Sequence, residues 1–341
     1  MESMKSLTFT EIETIASNLN SLALNADIKN CSIALTKRGR LWGISGGQCR
    51  VYKVVTSKGQ IKALRFWKNL IDEVEIRCRA ISDYIENNPA SYFLDFEFIP
   101  DAFMYKGEIF PAILMDWCPA LGLKSYIHNH LTEKDVLRKL QNNFISLIRE
   151  MHFRGISHGD LHHDNIRVND DGEIVLIDYD SFFVPDLKGM IDNCLGYSGY
   201  QLPHAREANK ELTPKADYFS ELIVYLSIEA MIENPALWKE IDVENQDQSF
   251  IFQYSELKNI ILSSTYKKLL SLGGDIPVLL KTLEYYLSKR SLNDLEPFYE
   301  VNKLEVIPLF TNDLSHFCIN CGTEFYSLDD VYCLNCGCKR I

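Results

Sequence analysis

No stretch of this 341-residue chain approaches the roughly 18 consecutive apolar residues that a membrane-spanning helix needs. Residues 1–18 carry Glu2, Glu11 and Glu13 and lack the basic-then-apolar order of a secretory signal. The chain has no excess of positive charge either. Its 35 Lys and Arg against 47 Asp and Glu leave a formal net charge of -12. That excludes a general attraction to the phosphate backbone of nucleic acid, although a local basic cleft can still hold a nucleotide. There is no internal repeat and no low-complexity tract. These absences predict a cytoplasmic protein with neither membrane nor nucleic acid as partner.

What is present is the balance of a folded globular protein, 46% apolar and 24% charged. The length allows one large domain or two lobes, with room for a small appendage. The ten cysteines fall into two groups. Cys31, Cys49, Cys78, Cys118 and Cys194 are scattered singly, as reduced thiols are. Cys318, Cys321, Cys333, Cys336 and Cys338 cluster in residues 318–341.

The first third of the chain reads as β-rich. A helix is predicted over 8–24, with Thr10 and Glu13 as its capping box and Ile12, Ile15, Ala16 and Leu19 as its apolar stripe. Strands are expected at 32–36, 51–55, 63–67, 93–99 and 110–117, and a helix at 70–86. The character then changes. Thr132 opens a helix whose Val136, Leu137, Leu140, Phe144, Leu147, Ile148 and Met151 share one face, with Gly155 as its stop. Residues 217–232 are apolar nearly all round, the pattern of a helix buried in the middle of a domain. A β-rich part before a helical part predicts an α+β fold with two lobes and a cleft between them.

The segment His158-Gly-Asp-Leu-His-His-Asp-Asn165, followed by Glu173-Ile-Val-Leu-Ile-Asp-Tyr-Asp180, carries chemistry. Phosphoryl transfer to a hydroxyl needs a carboxylate to receive or orient the hydroxyl proton. It also needs hard oxygen ligands for Mg²⁺ and cations against the transferring group. Asp160 suits the first role. Asn165 and Asp178 supply oxygens for Mg²⁺. The five-residue step from Asp160 to Asn165 lets one tight loop aim both at a single cleft.

This pair of motifs resembles the catalytic and metal-binding loops of the protein kinase superfamily, H-R-D-L-x-x-x-N followed by D-F-G. The resemblance runs in chain order over residues 40–290. Gly46-Gly47-Gln-Cys-Arg-Val51 stands at the glycine-rich loop and Ala63-Leu-Arg65 at A-x-K. Leu114-Met115-Asp116-Trp117 stands at the hinge, with Met115 as gatekeeper and a backbone that would bond adenine. Gly196-Tyr-Ser-Gly-Tyr-Gln-Leu-Pro203 resembles the end of an activation segment, and Asp217-Tyr-Phe-Ser-Glu-Leu the opening of the helix beneath the catalytic loop. The resemblance implies ATP and Mg²⁺ as cofactors, with Gly46, Gly47, Val51, Ala63, Arg65, Met115, Asp116 and Trp117 around the nucleotide. Glu75, ranked ahead of Glu73, would orient Arg65.

The departures are as informative. Arg65 replaces the phosphate-pairing lysine, keeping the charge on a larger planar head. Lys62 is near, but its parity places it on the other strand face. Ile44 and Cys49 replace the outer glycines of the loop. Gly159 replaces the arginine that reads a phosphorylated activation loop, so regulation by that route is not expected. His162 stands at a lysine position, Asp180 at the glycine of D-F-G and His204 at the glutamate of A-P-E. The combination resembles a group of bacterial kinases of the tellurite-resistance type, encoded near phosphatases and von Willebrand A modules. Such proteins are the partners it implies.

Cys318-Ile-Asn-Cys321-Gly and Cys333-Leu-Asn-Cys336-Gly repeat one unit. Two C-x-x-C turns give a closed tetrahedral thiolate site of the kind that holds a structural zinc. So small a module cannot build a sufficient core, and Zn²⁺ would drive its folding.

The organisation predicted is a helical extension (1–30), an N-lobe (31–115), a C-lobe (116–290), a linker (291–316) and a zinc ribbon (317–341). The function expected is ATP- and Mg²⁺-dependent phosphorylation of a protein serine or threonine, the ribbon helping to dock the protein substrate or partner. Two alternatives stand beside it: a pseudokinase scaffold that presents the ribbon to a partner, and a small-molecule kinase, which the H-G-D form permits.

Overall fold

A computed structural model describes residues 5–45, 49–70, 72–192, 195–205 and 210–301. The protein is a mixed α+β structure with a curled antiparallel sheet. The chain divides into two compact units. The first takes the described residues of 1–126, 142–192 and 209–214, and the second those of 127–141, 193–208 and 215–341.

In the first unit, β1 (Lys5–Ser6) leads into α1 (Phe9–Ser17), α2 (Leu19–Leu22) and α3 (Ala26–Lys29). Strands β2 (Ser32–Ile33), β3 (Gly43–Ser45), β4 (Cys49–Val55) and β5 (Ile61–Trp67) follow, and β6 (Asn69–Leu70) returns to pair with β1. After α4 (Asp72–Asn87) come β7 (Phe96–Tyr105) and β8 (Glu108–Asp116). The main sheet has the order β2-β4-β5-β8-β7, with β3 also on β4.

Strand alternation gives this sheet two distinct faces. Tyr52, Val54, Leu64, Phe66, Ala112 and Leu114 form one face and share a core with Ile12, Ile15, Leu19 and Ile28 from the N-terminal helices. Each fully buried Val, Leu, Ile or Phe among them contributes roughly 1.5–3 kcal/mol. The N-terminal helices are therefore part of the sheet's own core.

Helix α1 differs from its reading in two ways. Its capping box is Thr8 with Glu11, where Thr10 with Glu13 was expected. The sequence offers T-x-x-E in both registers. The earlier one prevails because Glu11 also meets Lys106 (2.6 Å), while Glu13 turns to Arg50 (3.4 Å). The helix also ends at Ser17, because Asn18 caps it by donating its side-chain amide to the Thr14 carbonyl (2.9 Å). Similarly, the strand expected over 32–36 pairs with β4 at Ser32–Ile33, Ala34 still donates to the Lys53 carbonyl (2.8 Å), and Leu35 bridges to Leu41 as the chain turns from Thr36 to Arg40.

Next come β9 (Leu121–Gly122), α5 (Leu123–Asn129) and α6 (Lys134–Arg154), then the hairpin of β10 (Ile166–Val168) and β11 (Ile174–Leu176). The predicted face of α6 is buried from Leu137 to Met151, and Gly155 takes φ +64° as a helix stop requires. Short strands β12 (Ile191–Asp192) and β13 (Lys210–Glu211) pair with each other.

The second unit is helical around α7 (Tyr218–Glu233), which is buried on nearly all sides as its sequence predicts. It also takes in α8 (Leu237–Glu240), α9 (Tyr254–Lys258), α10 (Ser264–Leu269), α11 (Ile276–Leu287) and α12 (Phe298–Val301). The buried Glu229 of α7 is matched by Arg138 (2.6 Å) and Gln141 (2.8 Å), as a charge withdrawn from water must be. Among the described residues no helix is long and apolar enough to cross a membrane. Cys31, Cys49, Cys78 and Cys118 are free thiols. Cys194 and the five cysteines of residues 318–341 lie outside the described residues.

Candidate functional site

The second face of the sheet gathers several residues singled out in the sequence. Val51 pairs with Arg65, Lys53 with Ala63, and Ala63 with Met115. Strand alternation therefore puts Val51, Ala63, Arg65 and Met115 on one face, opposite the helical core. Lys62 has the other parity, as expected, and holds Asp116 (2.6 Å) and Asp95 (3.3 Å). The Trp117 amide donates to the Ile61 carbonyl (3.4 Å). Its ring meets Trp42 at 4.8 Å, with the Lys53 ammonium 4.8 Å above it. Gly46 and Gly47 lie outside the described residues, between the paired strands β3 and β4.

The 158–165 loop is held from within. His158 is fully buried. Its Nδ1 accepts from the Asp160 amide (3.4 Å), so Nε2–H donates to the Ile177 carbonyl (2.9 Å). Asn165 donates its side-chain amide to the Asp160 carbonyl (2.9 Å) and stands 3.0 Å from His162 Nε2. Its own carbonyl accepts from the Ile177 amide (3.0 Å). With the amide nitrogen so engaged, Oδ1 of Asn165 is the atom left to meet a cation. His162 Nε2 also lies 3.4 Å from Oδ2 of Asp160. Burial pushes the Asp160 carboxyl up. The His162 hydrogen bond, with the electrostatic pull of His162, His158 and Lys210, outweighs it and keeps the group below the usual carboxylate range.

The segment 178–180 alternates out, in, out. Tyr179 is buried among Phe93, Phe96, Phe182 and His158. Its hydroxyl donates to the Leu176 carbonyl (2.8 Å) and accepts from the Leu94 amide (3.0 Å). This anchor turns both flanking aspartates outward. Asp178 takes φ +67°, a left-handed conformation uncommon outside glycine. Such strain is concentrated where structure serves a function.

Both aspartates meet Arg65. Its guanidinium, 6% exposed, lies 2.5 Å from Asp180 Oδ2 and 3.6 Å from Asp178 Oδ1. The Asp178 side chain is 54% exposed, with the Asp180 and Asp160 carboxylates near it. Desolvation there and the neighbouring Asp180 charge raise its pKa to about 6, against the pull of Arg65, with Asp160 adding to the rise. Asp160, Asn165, Asp178 and Arg65 thus belong to one local cluster within the first unit.

Glu75 is not part of it. Expected to orient Arg65, its carboxylate instead binds Arg79 one helical turn along (3.1 Å). Among the described residues the carboxylates within ion-pair distance of Arg65 are those of 178 and 180. Glu73 is exposed. The reason lies in Asp180, whose carboxylate reaches Arg65 from the loop after β11, so that Arg65 is matched without a partner from α4.

Three contributors went unassigned in the sequence. Asp180 was seen only as a lost glycine. Tyr179 was seen only as the middle of a motif. Arg77 of α4, which donates to the carbonyls of Asp180 and Ile191, had no signal in the sequence. Gly159, by contrast, has a clear structural need. It takes φ +79°, and a Cβ there would overlap the Ser181 carbonyl oxygen. An arginine has no room at this position.

Among the described residues no group of three or more His, Cys, Asp or Glu side chains is placed to hold a metal ion. The zinc ligands expected at Cys318, Cys321, Cys333 and Cys336 lie outside the described residues. Compared with known proteins, the chain matches no protein-family model and no curated protein.

Proposed function

We propose that this protein is an ATP- and Mg²⁺-dependent phosphotransferase of protein-kinase type, acting on a protein serine or threonine. The observation that carries the reading is the tie between two loops. Asn165 donates its side-chain amide to the Asp160 carbonyl and accepts the Ile177 amide on its main-chain carbonyl, beside a buried guanidinium that touches Asp178. Three oxygen-bearing side chains and one cation in a single cluster are what phosphoryl transfer asks of a protein.

The donor set fits Mg²⁺. Oδ1 of Asn165 and the crowded carboxylate of Asp178 are hard oxygens, and two protein ligands suffice where phosphates and water complete the shell. When bound, the ion offsets charge on the phosphates. Asp160, held ionised by His162, orients the acceptor hydroxyl and takes its proton. Arg65 offsets negative charge on the nucleotide, with Asp180 fixing the plane of its head. Val51, Ala63 and Met115 on the same sheet face offer the apolar surface for a base.

The test is transfer of label from γ-labelled ATP to the protein itself or to a partner, in Mg²⁺, beside an Asp178→Ala control. Label that disappears in the control is expected. Absence of transfer to any acceptor, with nucleotide bound, would favour the scaffold reading. One observation favours that second reading: both carboxylates on Arg65 compete with phosphate for it.

A further inference from the structure

Arg77 stands apart from the groups just assigned. Its Nη1 donates to the carbonyl oxygen of Asp180 (2.7 Å) and its Nη2 to that of Ile191 (2.7 Å). Nη1 also lies 3.9 Å from Oδ1 of Asp192. That carboxylate is 3% exposed and accepts from the Ser181 hydroxyl (3.2 Å). A single side chain of α4 therefore grips both ends of the 180–191 stretch. The guanidinium suits this work. Its donors lie in one plane in a fixed fork, so two carbonyls held by it cannot drift independently.

The grip at residue 180 is on the main chain. From that same residue the side chain reaches Arg65. Fixing the carbonyl fixes the point from which the carboxylate extends. We propose that Arg77 is a positioning residue of the phosphate-binding centre: it holds Asp180 so that the Asp180 carboxylate orients Arg65. This rests on the function proposed above. Helix α4 then reaches Arg65 through the main chain of residue 180, where an acidic side chain of α4 was expected to reach it directly.

A merely structural staple would destabilise the fold without acting through Asp180. A double-mutant cycle separates the two. The full-length protein, Arg77→Ala, Arg77→Lys, Asp180→Asn and the Arg77→Ala/Asp180→Asn pair are titrated with ADP and Mg²⁺ by calorimetry, each with its unfolding midpoint. Arg77→Ala is expected to weaken binding by about tenfold, and the pair to bind no more weakly than Asp180→Asn alone. Arg77→Lys, which keeps the charge but not the fork, should fall between, and it carries the comparison if Arg77→Ala does not fold. Binding by Arg77→Ala within about twofold of the unchanged protein overturns the inference, as do losses that multiply in the pair. Failure of the unchanged protein to bind ADP and Mg²⁺ at all overturns the functional reading itself, and the inference with it.

Discussion

Gly159 and Ser181 touch backbone to backbone: a side-chain carbon on Gly159 would overlap the Ser181 carbonyl oxygen and lie 2.8 Å from the Ser181 Cβ. The contact brings the loop of Asp160 against the segment that follows Asp178 and Asp180. The space that a side chain at position 159 would take is filled by the main chain of Ser181. Substitution here meets two costs, the left-handed φ of +79° and the overlap. Gly159→Ala is expected to lose roughly 2–4 kcal/mol of stability, measured by denaturant unfolding, and Gly159→Arg should fail to accumulate as folded protein. An unfolding midpoint unchanged in Gly159→Ala would show that the contact is loose.

Arg65 is buried with carboxylates that are half open to water. Removing one of them leaves the guanidinium with a poorer partner, though solvent and Asp178 soften the loss. Asp180→Asn should cost about 1–2 kcal/mol by chemical denaturation. Glu75→Gln, which touches only the exposed Arg79 pair, should stay within about 0.5 kcal/mol. Equal losses in the two variants would contradict this division of roles.

His163 gives the protein a pH dependence whose sign follows from burial. Desolvation, with the charge of Lys124, lowers its pKa to about 3 against the pull of Asp164. The unfolded chain takes up this proton near pH 6.5 and the folded one does not. Between those values the unfolded state binds more protons, so stability falls as pH drops from about 6.5 toward 3. The slope of unfolding free energy against pH in that window should shrink in His163→Gln. A slope unaltered by the substitution would assign it to other groups.

The paired C-x-x-C turns predict one zinc per chain. Elemental analysis of purified protein should find it, and Cys333→Ser should lose it while Asp178→Ala keeps it. Two equivalents of reactive thiol per turn and no zinc would mean that the turns are not a metal site.

Much of the site was readable because it is local. Asp160 and Asn165 lie within one loop, and Asp178 follows on the next short hairpin, so spacing alone could group them. Strand parity placed Lys62 on the face away from Arg65, and helical periodicity marked the buried faces of α6 and α7. The partner of Arg65 was not readable. Asp180 lies 115 residues away, and a motif that reserves its place for glycine does not suggest a charge there. Position on α4 gives only the side of the helix on which Glu75 stands, and Arg79, one turn along, lies within its reach.

The amino-acid order by itself determined where most of the strands and helices form, which faces they bury, and that Asp160 and Asn165 share one loop. Tertiary structure alone decided which capping register α1 adopts, which carboxylate holds Arg65, and that Gly159 has no space for a side chain. The physical reason is the range of the forces. Hydrogen bonds and apolar periodicity act along a few residues, whereas a buried charge takes whichever opposite charge the completed packing brings within reach.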